Sequence, residues 1–468
     1  MKPGVITVFL SIVLTCVLSL VGALIYSVRY STARMRTEMV MNMGLQSVFA
    51  EYNRELLKQY DLYFIDTSYG GAKPSVSALK DHLRSYMDYN LHPAKGLIMW
   101  DAADMTGLSL SELDVDLLSY ATDQGGRVFK RQAIHSLKDH YGISIVNELR
   151  KNLTDYKHSG IDKMDVDRER EKVAKKLEGL DLNQGNYPAA KVLDQRAGIL
   201  NLLINKELKV SDKALNLDNT ASHRSNQSGI GLVRPDEDPD SMANELLFNE
   251  YLNWKLSCYT NDLGHSSASY ELEYVLNGKN TDRANLRDTL QTLFIMREAA
   301  DTMAVFQDEV KKNEAKGVGM ALALILLTPE LEEPITDFIL FAWGFAESVM
   351  DIRTLLKGGR VPLIKGAGDW QLRSVGDLLL FNSKSPQTKG QGLSYQDYLK
   401  LLLALENPTK KVKRALDVIE MNIRTTEGNS AFRMDGCAEY LEAEAKLNSS
   451  YGFSFEIRRD YGYEPVIE

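Results

Sequence analysis

The sequence predicts a mainly helical α+β protein, built on a long N-terminal transmembrane-plus-stalk helix and carrying a small antiparallel sheet with a C-terminal β-hairpin. Three stretches lead to that reading. Val5–Tyr26 (VITVFLSIVLTCVLSLVGALIY) holds no charge, and at about 1.5 Å per residue it is long enough to cross a hydrocarbon core of roughly 30 Å. The stretch that follows, STARMRTEMVMNMGLQSVFAEYNRELLKQYDLYF, has no proline and a single glycine, Gly44. It is rich in the straight-chain residues that favour helix, so one helix is expected from Val5 to Phe64. Near the other end, Phe453–Tyr461 (FSFEIRRDY) alternates apolar and polar after an Asn448-Ser449-Ser450 turn, which is the pattern of a half-buried strand.

Composition narrows the function classes. The 468 residues are 44% hydrophobic and 25% charged, ordinary values for a folded body. The net charge of −9 comes with no basic face, so nucleic acid is not an expected partner. The three segments expected are a transmembrane anchor (1–27), a stalk helix continuous with it (28–66), and a mainly helical extracytoplasmic body (67–468) with a mobile loop at 219–241. The apolar run exceeds the core of a signal peptide. A prepilin-type cut after Gly4 would call for a Glu where Phe9 stands, so the anchor is expected to remain. Cys16 lies in the anchor, and Cys258 and Cys437 are read as buried thiols rather than a bridge.

Within the anchor, Thr7, Ser11, Thr15, Ser19, Ala23, Ser27 and Ser31 recur every fourth residue, and all are small. Small residues at this spacing let a second transmembrane helix approach closely. The bilayer and another transmembrane helix, from a second copy or an assembly protein, are the partners expected. Along the stalk, Met35, Met39, Met43, Val48, Tyr52, Leu56 and Tyr63 form a stripe expected to meet the protein's own core.

Asp66–Pro74 is turn-rich, and Val76–Leu91 reads as an amphipathic helix. Leu113–Tyr120 begins with strand-like alternation that puts Asp114 and Asp116 on a solvated face. The turn Asp123–Gly126 precedes helices expected at 128–156 and 163–180, then at 193–217. Asp236, Asp238 and Asp240 lack the glycine and the Glu that a calcium loop needs. Helix resumes at 242–259. Glu271–Asn285 reads as a short extended or capped segment, and a helix is expected over 286–313. The apolar runs Val318–Leu327 and Ile335–Val349 are each too short to span a bilayer and are expected as buried core helices. On the second, Glu347 and Asp351 lie one turn apart, with Arg297 and Arg353 as candidate partners in a structural ion pair. Arg360–Lys365 reads as a short edge strand, and Leu393–Leu405 and Lys410–Arg424 as helices. Tyr440–Leu447 fits helix or strand. The terminal hairpin is expected to pair with the strand near Val115.

Motifs for phosphate loops, dinucleotide binding, zinc proteases and serine hydrolases do not occur. His135 and His140 miss the i,i+4 spacing of a helical ligand pair. No catalytic, cofactor or metal residue is assigned, and an enzyme is not expected.

Several stretches carry a resemblance: SVFAEYNRELLKQYDLYFID from Ser47, ELEYVLNGKNTDRANL from Glu271, AWGFAESVMDIRTLLKGGRVPLIK from Ala342 and ALDVIEMNIR from Ala415. They resemble an uncharacterised family of single-pass proteins from Gram-positive, mainly clostridial, bacteria, similar in turn to the TadE and TadG proteins of tight-adherence (Tad) pili. The resemblance implies an accessory component of a Tad-like, type IV-like pilus or related surface assembly. It also implies a cytoplasmic amino terminus and an external body, although Arg29, Arg34 and Arg36 after the anchor would by count favour the reverse. A TadE-type Glu early in the apolar run is absent here. The alternatives are a tethered ligand-binding scaffold or sensor and an anchored cell-wall hydrolase.

Overall fold

The computed structural model describes residues 3–71, 73–91, 106–177, 203, 209–231, 238–378, 380–387 and 390–463. The chain divides into two compact units, one of Met1–Gln132, Arg224–Asp238 and Thr426–Glu468, the other of Ala133–His223 and Pro239–Thr425.

In the first unit, helix α1 runs from Pro3 to Phe49. It ends fifteen residues before the expected Phe64, because the backbone at 52–53 is claimed by the returning chain: Tyr52 bridges to Ile65 and Asn53 N donates to Phe64 O. Asn53 then caps a separate helix, α2 (Arg54–Tyr60), by accepting from Leu56 N. The stalk is therefore no free rod. Its seam of Ala33, Thr37, Val40, Met41, Leu45 and Val48 is buried. At Gly44 a Cβ would lie 2.9 Å from Met87 Cγ, so glycine lets the next helix approach. The expected Met35, Met39 and Met43 face points outward, at 62%, 50% and 43% exposure. Of the predicted stripe, Val48 and Leu56 are buried and Tyr63 is exposed.

Strand β1 (Ile65–Asp66) leads through the turn-rich stretch to α3 (Val76–Leu91) and then β2 (Leu108–Tyr120). The chain returns to this unit at its end as β3 (Cys437–Ser449) and β4 (Ser454–Gly462). β3 is central and antiparallel to all three others, with β2 along one edge and β1 and β4 along the other. The expected hairpin and its pairing near Val115 are both present, Val115 standing opposite Ala443. The ambiguous Tyr440–Leu447 is strand. Leu441, Ala443, Ala445 and Leu447 alternate into the core against α1 and α3. Asp114 and Asp116 lie beside Lys80 and Arg458 on the polar face.

Within 219–241, the described residues make contacts with the sheet and with the chain's C-terminal part. Ile230 and Leu118 exchange both backbone hydrogen bonds, Gly229 N donates to Asp123, and Arg224 pairs with Asp435 at 2.7 Å. Of the calcium-loop mimic, Asp236 lies outside the described residues.

The second unit contains α4 (Asp123–Tyr141, whose first residues belong to the other unit), α5 (Val146–Ser159), α6 (Val166–Lys176), α7 (Met242–Lys255), α8 (Glu271–Asn277), α9 (Asp282–Gln307), α10 (Glu309–Ile325), α11 (Glu332–Leu356), α12 (Val375–Leu378), α13 (Tyr395–Leu405) and α14 (Pro408–Arg424). The expected turn survives at the head of α4, where Gln124, Gly125 and Gly126 all have left-handed φ. The helix expected at 193–217 lies mostly outside the described residues, and 209–217 is not helical. Glu271–Asn285 is helical at its start, α8 closing on Gly278 at φ 65°, and Thr281 then caps α9. The helix expected to Asn313 breaks at Asp308, whose carboxylate caps α10. Arg360–Lys365 is no strand. Val361 alone bridges, to Leu393, Pro362 has no N–H to give, and Arg297 takes the carbonyls of Pro362 and Leu363.

The two apolar helices part company. α11 buries every residue from Ile339 to Leu356, as expected. α10 does not follow: Met320, Leu324 and Ile325 are 52%, 71% and 73% exposed, and Leu327 just beyond it 85%. It packs through Ala315, Gly319 and Ala323, the first and last small and the middle one without a side chain, and a Cβ on Gly319 would clash with Thr336 Oγ1. The larger side chains are left outside. All three cysteines are free, with Cys258 and Cys437 buried.

Candidate functional site

Thr7, Ser11, Thr15, Ser19, Ala23, Ser27 and Ser31 are all exposed along α1. Ser11 Oγ donates to Val8 O and Thr15 Oγ1 to Ser11 O, both at 2.8 Å. The Ser11 and Thr15 hydroxyls are thus satisfied within the helix, which an apolar setting would require. With 3.6 residues per turn, each four-residue step turns about 40°, so the seven positions wind through roughly 240° of the helix surface. They do not form one flat face. Three or four neighbours at a time can meet a partner, across a ridge-into-groove crossing.

The second candidate grows from α11. Spacing one turn apart puts Glu347 and Asp351 on the same side of a helix that is otherwise almost wholly apolar. Arg297 of α9, a predicted partner, holds Asp351 with its Nη2 2.8 Å from Oδ2 and grips Asp301 of its own helix at 2.6 Å. Arg353, the other predicted partner, turns instead to Phe381 O and Asn382 Oδ1. The second cation is Lys365, whose Nζ lies 2.5 Å from Glu347 Oε1 and 2.7 Å from Asp351 Oδ1. The backbone N–H groups of Gln371 and Leu372 complete Glu347, and Ser348 donates to Asp301. Sequence reading missed Asp301 and Lys365. The i,i+4 spacing of Arg297 and Asp301 was a usable signal. Lys365 gave none, being placed by an irregular loop.

This cluster sets two cations against three carboxylates, all with side chains at most 1% exposed. Burial pushes the Asp301 carboxyl up to about 7, more than its neighbouring cations offset. Burial opposes charge on Asp351 too, but Lys365 and Arg297 together hold its carboxyl below the usual range. Burial would lower Lys365, and the field of Asp301, Asp351 and Glu347 outweighs it, keeping the ammonium protonated. A proton on Asp301 leaves two charges of each sign. A cavity of about 370 Å³ adjoins, lined by Met303, Ala304, Ile364 and Trp370 among others, while the Lys365 ammonium stays engaged in the cluster. Paired and buried, these charges brace the packing of α9, α11 and the loop that carries Lys365.

Elsewhere in this unit, other polar groups make contacts of their own. Glu273 accepts from Tyr259 N and from the Tyr395 hydroxyl at 2.8 Å, and burial raises its carboxyl to about 7. Burial likewise pushes the Cys258 thiol up to about 12. Ser222, His223 and Asp417 meet, but in the wrong order for a nucleophile. Ser222 Oγ donates straight to Asp417 at 2.5 Å, and the imidazole does not stand between them. His140 Nδ1 contacts Ser136 O within its own helix. Among the described residues, no group of three or more His, Cys, Asp or Glu is placed to hold a metal ion.

Fold and sites together define a mainly helical α+β protein with one exposed N-terminal helix long and apolar enough to cross a membrane. The chain belongs to a family of unknown function (DUF5702), whose model matches residues 182–449. That stretch holds all five charges of the buried cluster together with β3, and begins after α1, α3 and β2. No curated protein and no solved structure matches the chain.

Proposed function

We propose that this protein is a membrane-anchored, extracytoplasmic component of a surface assembly, and that the assembly is a Tad-like pilus in which it serves as an accessory, TadE/TadG-like member. The observation that carries the anchored reading is α1 itself. A single helix presents only exposed side chains from Ile6 to Val28, then buries a seam in the core of the first unit. Such a helix couples the folded body rigidly to whatever its apolar half enters. The pilus reading rests on the sequence resemblance.

The arginines after the anchor have work in the fold that is independent of topology. Arg29 lies over the Tyr451 ring, Arg36 donates to Leu91 O and Thr106 Oγ1, and Arg34 sits 3.8 Å from Glu38. The charge count after the apolar run therefore does not by itself oppose an external body. The test uses Lys58, whose side chain is 75% exposed. Lys58→Cys in a Cys16→Ser background should react with a membrane-impermeant maleimide on intact cells. Reaction only after lysis would place the body inside. Deleting the gene should reduce surface fibres in electron micrographs, with recovery on complementation, and unchanged fibre numbers would end the pilus reading. In the complemented strain, Ser11→Leu with Thr15→Leu should lower crosslinking from the anchor to its partner helix.

A further inference from the structure

Strand β4 runs beside α1 in the same direction. Phe453 stacks edge-on against Tyr26 and Tyr30 at 5.0 and 5.4 Å, and Tyr461 reaches Phe49 at 5.0 Å. The lengths agree. Eight strand residues advance about 26 Å, and the nineteen helix residues from Tyr30 to Phe49 about 28 Å. The β3–β4 turn therefore sits level with Tyr26–Tyr30, where the uncharged run of α1 ends.

This end of the sheet is chemically distinct. No charged residue occurs between Lys446 and Glu456, nor from Thr106 to Ser111, whereas the far part of the same strands carries Glu112, Asp114, Asp116, Glu442, Glu444, Arg458 and Asp460. The turn satisfies its own backbone. Ser449 N donates to Phe453 O, Gly452 N to Ser449 O, and Ser450 N to Gly107 O. Around it stand exposed amphipathic rings, Tyr26 (61%), Tyr30 (43%) and Tyr451 (42%), with the Arg29 guanidinium 4.1 Å from the Tyr451 ring centroid. A water-facing hairpin gains nothing from losing its charges or from displaying tyrosines. At the headgroup level of a bilayer both are favourable, since tyrosine keeps its ring in the apolar side and its hydroxyl wet.

We propose that the hairpin tip, Ser449–Phe453, is a second membrane contact, seated in the headgroup layer of the same bilayer that α1 crosses. The occupant follows from continuity, because the tip packs on the helix where that helix leaves the lipid. The inference rests on the reading of α1 as a membrane span. It makes the first unit a body fixed to the surface at two adjoining points rather than one swivelling on a stalk.

Spin-label accessibility in the full-length protein, reconstituted in phosphatidylcholine–phosphatidylglycerol vesicles, tests both layers. Nitroxides are placed singly at Ser450→Cys, Ser11→Cys and Lys58→Cys in the Cys16→Ser background. Collisions with an aqueous nickel complex should be reduced several-fold at Ser450 relative to Lys58, with oxygen access retained, and Ser11 should report the lipid core. Ser11 in lipid with Ser450 as open to nickel as Lys58 overturns the tip contact while leaving the span intact. Ser11 open to nickel overturns the span reading itself. Ser450 shielded from nickel and oxygen alike, with dipolar broadening, assigns the tip to a second copy and also overturns the proposal. Ser450→Asp, which introduces a charge at the same site, should raise Tyr451-proximal nickel access when a label at Ser454→Cys is read, and no change there counts against lipid seating.

Discussion

Among the described residues, helices α1 and α11 are alike in apolar content, and the fold treats them in opposite ways. The first part of α1 is fully exposed, with Leu10, Leu18 and Leu20 each above 60%. α11 hides every side chain from Ile339 to Leu356. Hydrophobicity alone does not separate them. Charge does: α1 carries none from Val5 to Tyr26, whereas α11 carries Glu347, Asp351 and Arg353 in its buried stretch. In lipid those side chains would have few partners. Inside the protein Arg297 and Lys365 wait for two of them, from another helix and from a loop. A helix that can tolerate ionised groups is one whose surroundings are fixed by the chain itself.

The largest expected effect breaks that provision. Arg297→Met removes one of the two cations that face Asp351 and Asp301, leaving Lys365 alone against three carboxylates, and should cost about 3–5 kcal/mol in urea unfolding. Arg297→Met with Asp351→Leu removes one charge of each sign and should cost less than the single change. If the double costs more, the cluster is not balanced as described. Glycine gives the next contrast. A Cβ on Gly344 of α11 would lie 2.5 Å from Thr302 Oγ1 and 3.0 Å from Thr302 Cα, so backbone must move. Gly344→Ala should destabilise by about 1–3 kcal/mol. Gly22→Ala in α1 meets nothing within 4 Å and should leave body stability within about 0.5 kcal/mol. Equal costs at the two positions would erase the distinction.

The pH dependence of stability sharpens the comparison further. Burial raises both Asp301 and Glu273 to about 7, so the folded state binds their protons more tightly than the unfolded chain. Stability from this source is full below the unfolded carboxylate values and falls as pH rises toward 7. Asp301→Asn keeps a neutral side chain facing Arg297, Lys365, Asp351, Glu347 and Ser348. It should flatten the decline of unfolding free energy between roughly pH 5 and 7.5 relative to the parent protein. An unchanged slope would mean that Asp301 is ionised throughout.

What the sequence made legible followed from local rules. The long apolar start of α1, α3, the terminal hairpin and its pairing with β2 could be read from charge-free length, 3.6-residue periodicity and alternation. The break at Asn53 and the caps at Asp308 and Thr281 use polar residues that also suit a helix surface, so a propensity reading runs through them. The buried seam of the stalk was misplaced because Met35, Met39 and Met43 look like core by composition, while the true seam buries small Ala33 and Thr37 and uses Gly44 to admit α3. Half of the charge cluster was visible as Glu347 and Asp351 on an apolar helix. Lys365 was not, because a loop between distant helices brings it there. The anchor stripe was legible as spacing, but its winding emerges only when the four-residue steps are placed on a 3.6-residue helix.

The smallest expected effect lies at the end of α10, where apolar composition and burial disagree. VGMALALILL reads as core because no polar residue interrupts it. Yet the helix docks by its smallest residues, and Leu324 and Ile325 stay more than two-thirds exposed. Side chains that remain in water after folding gain little from it, since the hydrophobic effect scales with area removed from solvent. Leu324→Ser with Ile325→Ser should therefore shift the unfolding free energy by no more than about 0.5 kcal/mol. Ala323→Leu, one residue away on the docking side, should cost about 1–3 kcal/mol by overpacking against α11. The pair is read by urea midpoints on the same day and buffer. A double serine variant that loses as much as Ala323→Leu would show that Leu324 and Ile325 are covered in the folded protein, and α10 would then join α11 as a core helix after all.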